Sequence, residues 1–344
     1  MKFLDISGFG HSGKTVVADI LKEIDGFQLC NYNFEFNLIR IQGGLLDLKY
    51  ALVDNWSPVR SDSAVRRFKR IVKRIGPKAS LFSPTTLFCS NGMNYDSMFN
   101  EKFTKLSLSY ISSLVSVSYQ GFWPFALIEE SMIYQFIARV RGRLGLSPTL
   151  VDIYLTDSSD FQLKTSNYLI SLFKEIKEER TNVFVLLNSL EPFNSEAGLN
   201  LLGDSKQIVV TRDPRDIYAS AMAVNDGFTP DFESNYNMGL KKNIVGKDLD
   251  LFIKRQKIYH ENIVIGTAED RILRIQYEDL IMNYEDSLNR IYKFLDVDST
   301  CHSEKGKYFN PKKSSANIGL WRNYHDQISI STISESLSDY CWTN

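Results

Sequence analysis

Two stretches of this chain carry residues whose types and spacing could hold anions and move charge. The first, Gly8-Phe9-Gly10-His11-Ser12-Gly13-Lys14-Thr15, fits the phosphate-loop pattern G-x-x-x-x-G-K-[ST]. Glycines let such a backbone turn tightly, so that successive amide N–H groups point at one anion, and the dipole of the helix that follows adds attraction. Gly10, His11, Ser12, Gly13, Lys14 and Thr15 are therefore candidate anion contacts. The second stretch, Gln207 to Ser220, reads as a strand that ends at Arg212 and passes directly into a helix. Asp213 suits the cap of that helix and Pro214 its first turn, which would hold Arg212 rigidly at the carboxyl end of a strand.

These groups need a frame, and the hydrophobic pattern supplies one. Lys2 to Ser7 predicts a short strand with Phe3, Leu4 and Ile6, and Gly13 to Ile24 a helix whose Val16, Val17, Ile20, Leu21 and Ile24 form one apolar stripe. Further strands are expected over Phe27–Tyr32, Leu150–Leu155, Asn182–Leu187 and Gln207–Thr211, with helices over Phe161–Arg180 and Pro214–Val224. Strands alternating with helices predict an α/β fold of the P-loop type: three layers around a central, mostly parallel sheet. Residues 1–50 and 150–325 would form this core within one domain spanning 1–344, with 56–148 as a mainly helical insertion. Inside the insertion, Arg66 to Lys78 predicts an amphipathic helix with Val65, Phe68, Ile71, Val72 and Ile75 inward and a basic outer face, suited to solvent, an anionic acceptor or a membrane surface.

Composition narrows the function classes. Forty Lys plus Arg nearly balance 41 Asp plus Glu, so no global field favours nucleic acid as a partner. Cys30, Cys89, Cys301 and Cys341 show no metal-ligand spacing, and no run reaches the ~18 apolar residues that span a bilayer. Reduced thiols and a cytoplasmic location are the expectation.

The Arg212-Asp213-Pro214-Arg215-Asp216 unit, with Ser220 eight residues after Arg212, resembles the PAPS-dependent sulfotransferase superfamily, where PAPS is 3'-phosphoadenosine-5'-phosphosulfate. The resemblance implies that Arg212 and Ser220 bind the 3'-phosphate. It extends to Ile272–Leu280, whose Tyr277 would lie against the adenine. It extends also to Lys312–Asn323, similar to a degraded form of the family's basic, glycine-rich loop. There Gly319, Trp321 and Arg322 match, while Ala316 and Leu320 depart, leaving Lys312 or Lys313 to reach the 3'-phosphate. The match is closer to carbohydrate-type bacterial members than to cytosolic phenol or steroid members, and the insertion would cover the acceptor site.

Sulfuryl transfer, like phosphoryl transfer, passes through a loose in-line transition state, so positioning and electrostatics dominate and no metal is obligatory. The leaving oxygen gains charge as its bond breaks, and either Lys14 or His11 would meet it; His11 stands where the family commonly carries Lys or Arg. The acceptor hydroxyl or amine needs a base. The histidine of the cytosolic members' Lys-Thr-His-Leu-Pro segment is absent from Asn188-Ser189-Leu190-Glu191-Pro192. Glu35, after the second strand, is the first choice as base and Glu191 the alternative. A glycan or glycolipid precursor is the expected acceptor. The competing readings are a P-loop kinase or NTPase, with Glu129 or Asp157 imitating an acidic Mg²⁺ site, and a nucleotide-binding protein without turnover.

Overall fold

In the computed structural model, which describes residues 1–30, 35–78, 93–129, 132–157, 159–193, 195–225, 248–263 and 270–343, the strands in chain order are β1 (Lys2–Gly8), β2 (Phe27–Leu29), β3 (Val115–Gly121), β4 (Val151–Thr156), β5 (Val183–Leu187), β6 (Ser205–Thr211) and β7 (Ile272–Gln276). The chain divides into two compact units, one of residues Met1–Asn37 with Glu178–Asn344 and one of Leu38–Lys177.

The first unit is built on a five-stranded, all-parallel sheet in the order β2-β5-β1-β6-β7. From Phe3 to Gly8 every residue of β1 is buried, the pattern of a central strand covered on both faces. Leu4 and Ile6 share a core with Val17, Ile20 and Leu21 of the helix Lys14–Lys22 and with Leu288 and Ile291 of the helix Tyr284–Leu295. Helix Ser195–Leu202 packs against β6. Ser7 lies opposite Val209, and Thr211 opposite Gln276, so the phosphate loop and Arg212 leave one sheet at the same edge.

The second unit is largely helical. Ser57 caps the helix Pro58–Ile75 by accepting from the Arg60 N–H at 3.2 Å, and Val65, Phe68, Val72 and Ile75 bury its apolar stripe as expected. Part of its basic face is engaged inside the unit: Arg66 pairs with Asp62 at 2.8 Å, and the Lys69 ammonium lies 3.8 Å from the Tyr154 ring centroid. Helices Phe103–Leu114 and Phe161–Lys174 meet through stacked Tyr110 and Tyr168, 4.5 Å between centroids, with each hydroxyl satisfied. No helix among the described residues is long and apolar enough to cross a membrane.

One strand lies elsewhere than the sequence predicts. Leu150–Leu155 was expected in the parallel sheet; β4 instead pairs antiparallel with β3 in a separate two-stranded sheet. The reason is visible in its side chains. In β4 only Ile153 and Thr156 are fully buried, whereas a strand inside a covered parallel sheet is buried on both faces. Cys30, Cys301 and Cys341 form no disulfide; Cys89 lies outside the described residues, as does the Tyr32 end of the second predicted strand.

Candidate active site

β1 ends at Gly8, and the loop turns through a Ser12 N–H to Phe9 carbonyl bond of 3.1 Å before the helix begins at Lys14. Two glycines have steric reasons to be there. A Cβ on Gly8 would sit 2.4 Å from Ser12 Oγ, and one on Gly13, whose φ is 80°, would sit 2.3 Å from the Tyr277 ring. His11 is also left-handed, with φ 61°. Ser12 is buried, and its Oγ has no partner among the described residues.

Arg212 locks this loop to a distant segment. Its guanidinium donates to the His11 carbonyl at 2.9 Å and to the Asn317 carbonyl at 2.6 Å, and lies 4.8 Å from the Tyr277 ring centroid. Its Nε is buried and has no partner among the described residues. The neighbouring acids act as scaffolding. Asp213 pairs with Arg215 and accepts the Trp342 N–H, while Asp216 accepts the Gly319 N–H at 2.8 Å and the Trp321 N–H at 3.2 Å. Ser220 Oγ lies 3.3 Å from His11 Nδ1. Burial, and the charges of Arg212 and Lys14, push His11 below the ordinary imidazole range, so a neutral ring is the state favoured at neutral pH.

The predicted contacts thus fall into three groups. His11, Ser12, Gly13, Lys14, Arg212, Ser220 and Tyr277 converge around the loop. Lys312 and Lys313 are exposed on the short helix Pro311–Ser314, tethered where Tyr277 Oη donates to the Ser314 carbonyl at 3.2 Å. Thr15 is exposed on the first turn after Lys14, and Gly10 is half-buried in the loop.

Of the two carboxylates considered as base, Glu35 is buried and Glu191 exposed. Asn188 Nδ2 donates to Glu35 Oε1 at 2.9 Å, and the same side chain's Oδ1 accepts the Gly8 N–H at 3.1 Å. One amide therefore joins the root of the phosphate loop to the carboxylate. Ser189 Oγ accepts the Phe36 N–H, holding the adjoining backbone. The turn that presents Asn188, at φ 45°, is itself fixed from below. Asp5 Oδ1 accepts the Ser189 N–H at 2.8 Å, Ser7 donates to Asp5 and to the Leu190 carbonyl, and Gln207 donates to Ser7 at 2.8 Å. Burial pushes the Asp5 carboxyl up to about 6. Sequence reasoning missed this network. Its signal was a charged residue inside the core strand Phe3–Ser7, where an unpaired carboxylate would be costly.

Glu278 gives a pH test of the packing beneath Arg212. It accepts the Asp213 N–H at 3.0 Å, its other oxygen has no partner among the described residues, and burial pushes it up to about 7. A carboxyl raised in the folded state stabilises the fold fully below its ordinary value near 4.5, and that contribution is lost as pH rises through 7. Denaturant midpoints should therefore fall from pH 5 to pH 8, and Glu278→Gln should flatten that fall. An unchanged slope in the variant would place the effect elsewhere.

Residues 155–300 match the Sulfotransferase family model, a span that includes Arg212, Ser220 and Tyr277. No curated protein matches the sequence. Among solved structures, the chain is similar to sulfotransferase STF9 from Mycobacterium avium, with 14% identity, 98% of this chain and 75% of that one covered, and a TM-score of 0.39. It is similar also to the sulfotransferase domain of the Synechococcus PCC 7002 olefin synthase, with 13% identity, 98% and 94% covered and a TM-score of 0.42. A third is the sulfotransferase domain of the curacin biosynthetic pathway, with 14% identity, 98% and 96% covered and a TM-score of 0.40. The family match falls on the strand and helix that flank Arg212 and does not extend to the phosphate loop at residues 8–15.

Proposed function

We propose that this chain is a sulfotransferase that takes its sulfuryl group from PAPS and delivers it to a hydroxyl or amine of a glycan or glycolipid precursor. The carrying observation is that Arg212 and Ser220 both contact His11 of the phosphate loop, so two anion-binding elements converge in one place. A nucleotide with anionic groups at its 5' and 3' positions fits that arrangement. Ser12 Oγ and Arg212 Nε, buried and without partners among the described residues, are donors that such a ligand can satisfy.

In this reading the loop amides and Lys14 take the phosphosulfate end, and Arg212 with Ser220 takes the 3'-phosphate. Tyr277, the inferred adenine neighbour, braces both sites through Gly13 and Arg212. Lys312 and Lys313 supply further positive charge from their exposed helix. The acceptor oxygen attacks sulfur, the bond from sulfur to the 5'-phosphate oxygen breaks, and the acceptor proton passes to Glu35. Lys14 meets the charge left on the phosphate, since the neutral state favoured for His11 brings no cation.

The sheet disfavours the Mg²⁺-nucleotide alternative. In the P-loop NTPases an acidic residue at a strand end holds the metal. Here the residues that first leave the five parallel strands are Phe9, Cys30, Asn188, Arg212 and Tyr277. Asp157 follows β4, which belongs to the antiparallel pair.

Arg212→Ala is expected to weaken 3',5'-adenosine bisphosphate about tenfold or more, by removing a charge-assisted contact, and to leave 5'-AMP much less affected. Calorimetric titration of both ligands checks this. Equal weakening would mean that Arg212 serves only to hold His11 and Asn317, and binding of ATP with Mg²⁺ in preference to the bisphosphate would sink the PAPS reading altogether.

A further inference from the structure

Within the 38–177 unit, the helix Met132–Arg143 has no fully buried residue. Met132, Ile133, Phe136, Ile137, Val140 and the following Leu144 are all exposed, Met132 at 86% and Ile133 at 73%. At about 100° per residue these six side chains fall within a single arc of roughly 140°. Arg139 and Arg143 lie near one edge of that arc and Arg141 near the other. The opposite side faces its own unit: the helix packs on the turn Pro124–Glu129, and Gln135 and Ala138, with Arg139 and Arg141 at the rim, border a groove of about 450 Å³ lined also by Trp123 and Leu127. The helix is thus seated on its own unit by one side, and the apolar arc has no covering group among the described residues.

We propose that this helix docks in the headgroup region of an anionic membrane, apolar arc inward and the three arginines at the level of the lipid phosphates. Charge selects this occupant over a second copy of the chain or an unrelated apolar surface. From Met132 to Val151 the sequence contains Arg139, Arg141 and Arg143 and no Asp or Glu. Arginines flanking an apolar stripe reach outward to lipid phosphates while their stems stay along the apolar surface. The helix is 12 residues long and ends in a Gly and two Arg residues, too short and too charged to span the bilayer, so it lies on the surface. The inference is independent of the acceptor's identity, although surface attachment would bring the enzyme to lipid-linked acceptors.

Flotation of the full chain with phosphatidylcholine vesicles, with and without about one third phosphatidylglycerol, tests it. Binding is expected to the anionic vesicles, to weaken as salt rises, and to fall at least tenfold in Ile133→Ser/Phe136→Ser. Arg139→Gln/Arg141→Gln/Arg143→Gln should lose the preference for anionic lipid while keeping weak binding. Arg141 also donates to the Ser147 carbonyl at 3.1 Å, so thermal midpoints close to that of the parent chain are required to confirm that the variants fold. Absence of vesicle binding, or equal binding by Ile133→Ser/Phe136→Ser, overturns the proposal. So does a concentration-dependent dimer, seen by light scattering, that the same two substitutions abolish without any lipid dependence, because the arc would then belong to a second copy.

Discussion

Glu35→Gln is expected to lower kcat by about 10²–10⁴-fold while leaving the affinity for 3',5'-adenosine bisphosphate nearly intact. The amide keeps the shape of the side chain and the oxygen that accepts from Asn188, and removes only the ability to take a proton. Glu35 is the buried carboxylate of the two, held through Asn188 to the root of the phosphate loop, whereas Glu191 is exposed and its backbone carbonyl accepts from Ser195 Oγ. A surface carboxylate contributes almost nothing to a chemical step. Steady-state rates for Glu35→Gln and Glu191→Gln, measured side by side with a common acceptor, decide between them. Loss in Glu191→Gln with normal turnover in Glu35→Gln would reverse the assignment. Normal turnover in both would mean that the acceptor loses its proton without either.

Lys14→Met should cost a further large factor, about 10²–10³ in kcat, the range seen when one donor to a developing oxyanion is removed. Methionine preserves the length of the apolar stem and the first turn of the helix. The cation is what disappears. His11→Asn should cost much less, because burial and the two neighbouring cations favour a neutral imidazole and leave Lys14 the better source of positive charge at the leaving oxygen. The comparison is made most cleanly with sulfuryl donors of graded leaving-group basicity. The deficit in Lys14→Met should grow as the leaving group becomes more basic. A flat dependence would show that Lys14 acts in binding alone, and a larger loss in His11→Asn would exchange the two roles.

Much of the first unit could be read from residue types in order. The strand before Gly8, the apolar stripe after Gly13 and the Asp213-Pro214 helix start are local features, and local features fix β1, β6 and their helices. The placement of β4 was not legible, because a six-residue apolar segment does not announce its partner: Val151–Thr156 suits either sheet by propensity, and pairing with 115–121 decides it. The polar network under Glu35 was hidden for a related reason. Asp5, Asn188 and Gln207 lie on three different strands or strand ends, and only the register of β1 against β5 and β6 makes them neighbours. Residues 188–192 drew notice in the sequence for the histidine they lack. Their structural weight lies instead in Asn188 and Ser189, which reach back to Gly8, Glu35 and Phe36.

The side chain of Asn188 touches the backbone that starts the anion loop with one atom and the carboxylate with another. A polarised amide transmits charge in both directions, because strengthening one of its hydrogen bonds strengthens the other. An anion bound at the loop amides is therefore expected to alter the proton affinity of Glu35, and by reciprocity of linked equilibria protonation of Glu35 would alter anion affinity by the same factor. On the proposed function, donor binding and acceptor deprotonation would then be one coupled equilibrium, and proton uptake measured on binding the nucleotide would report it.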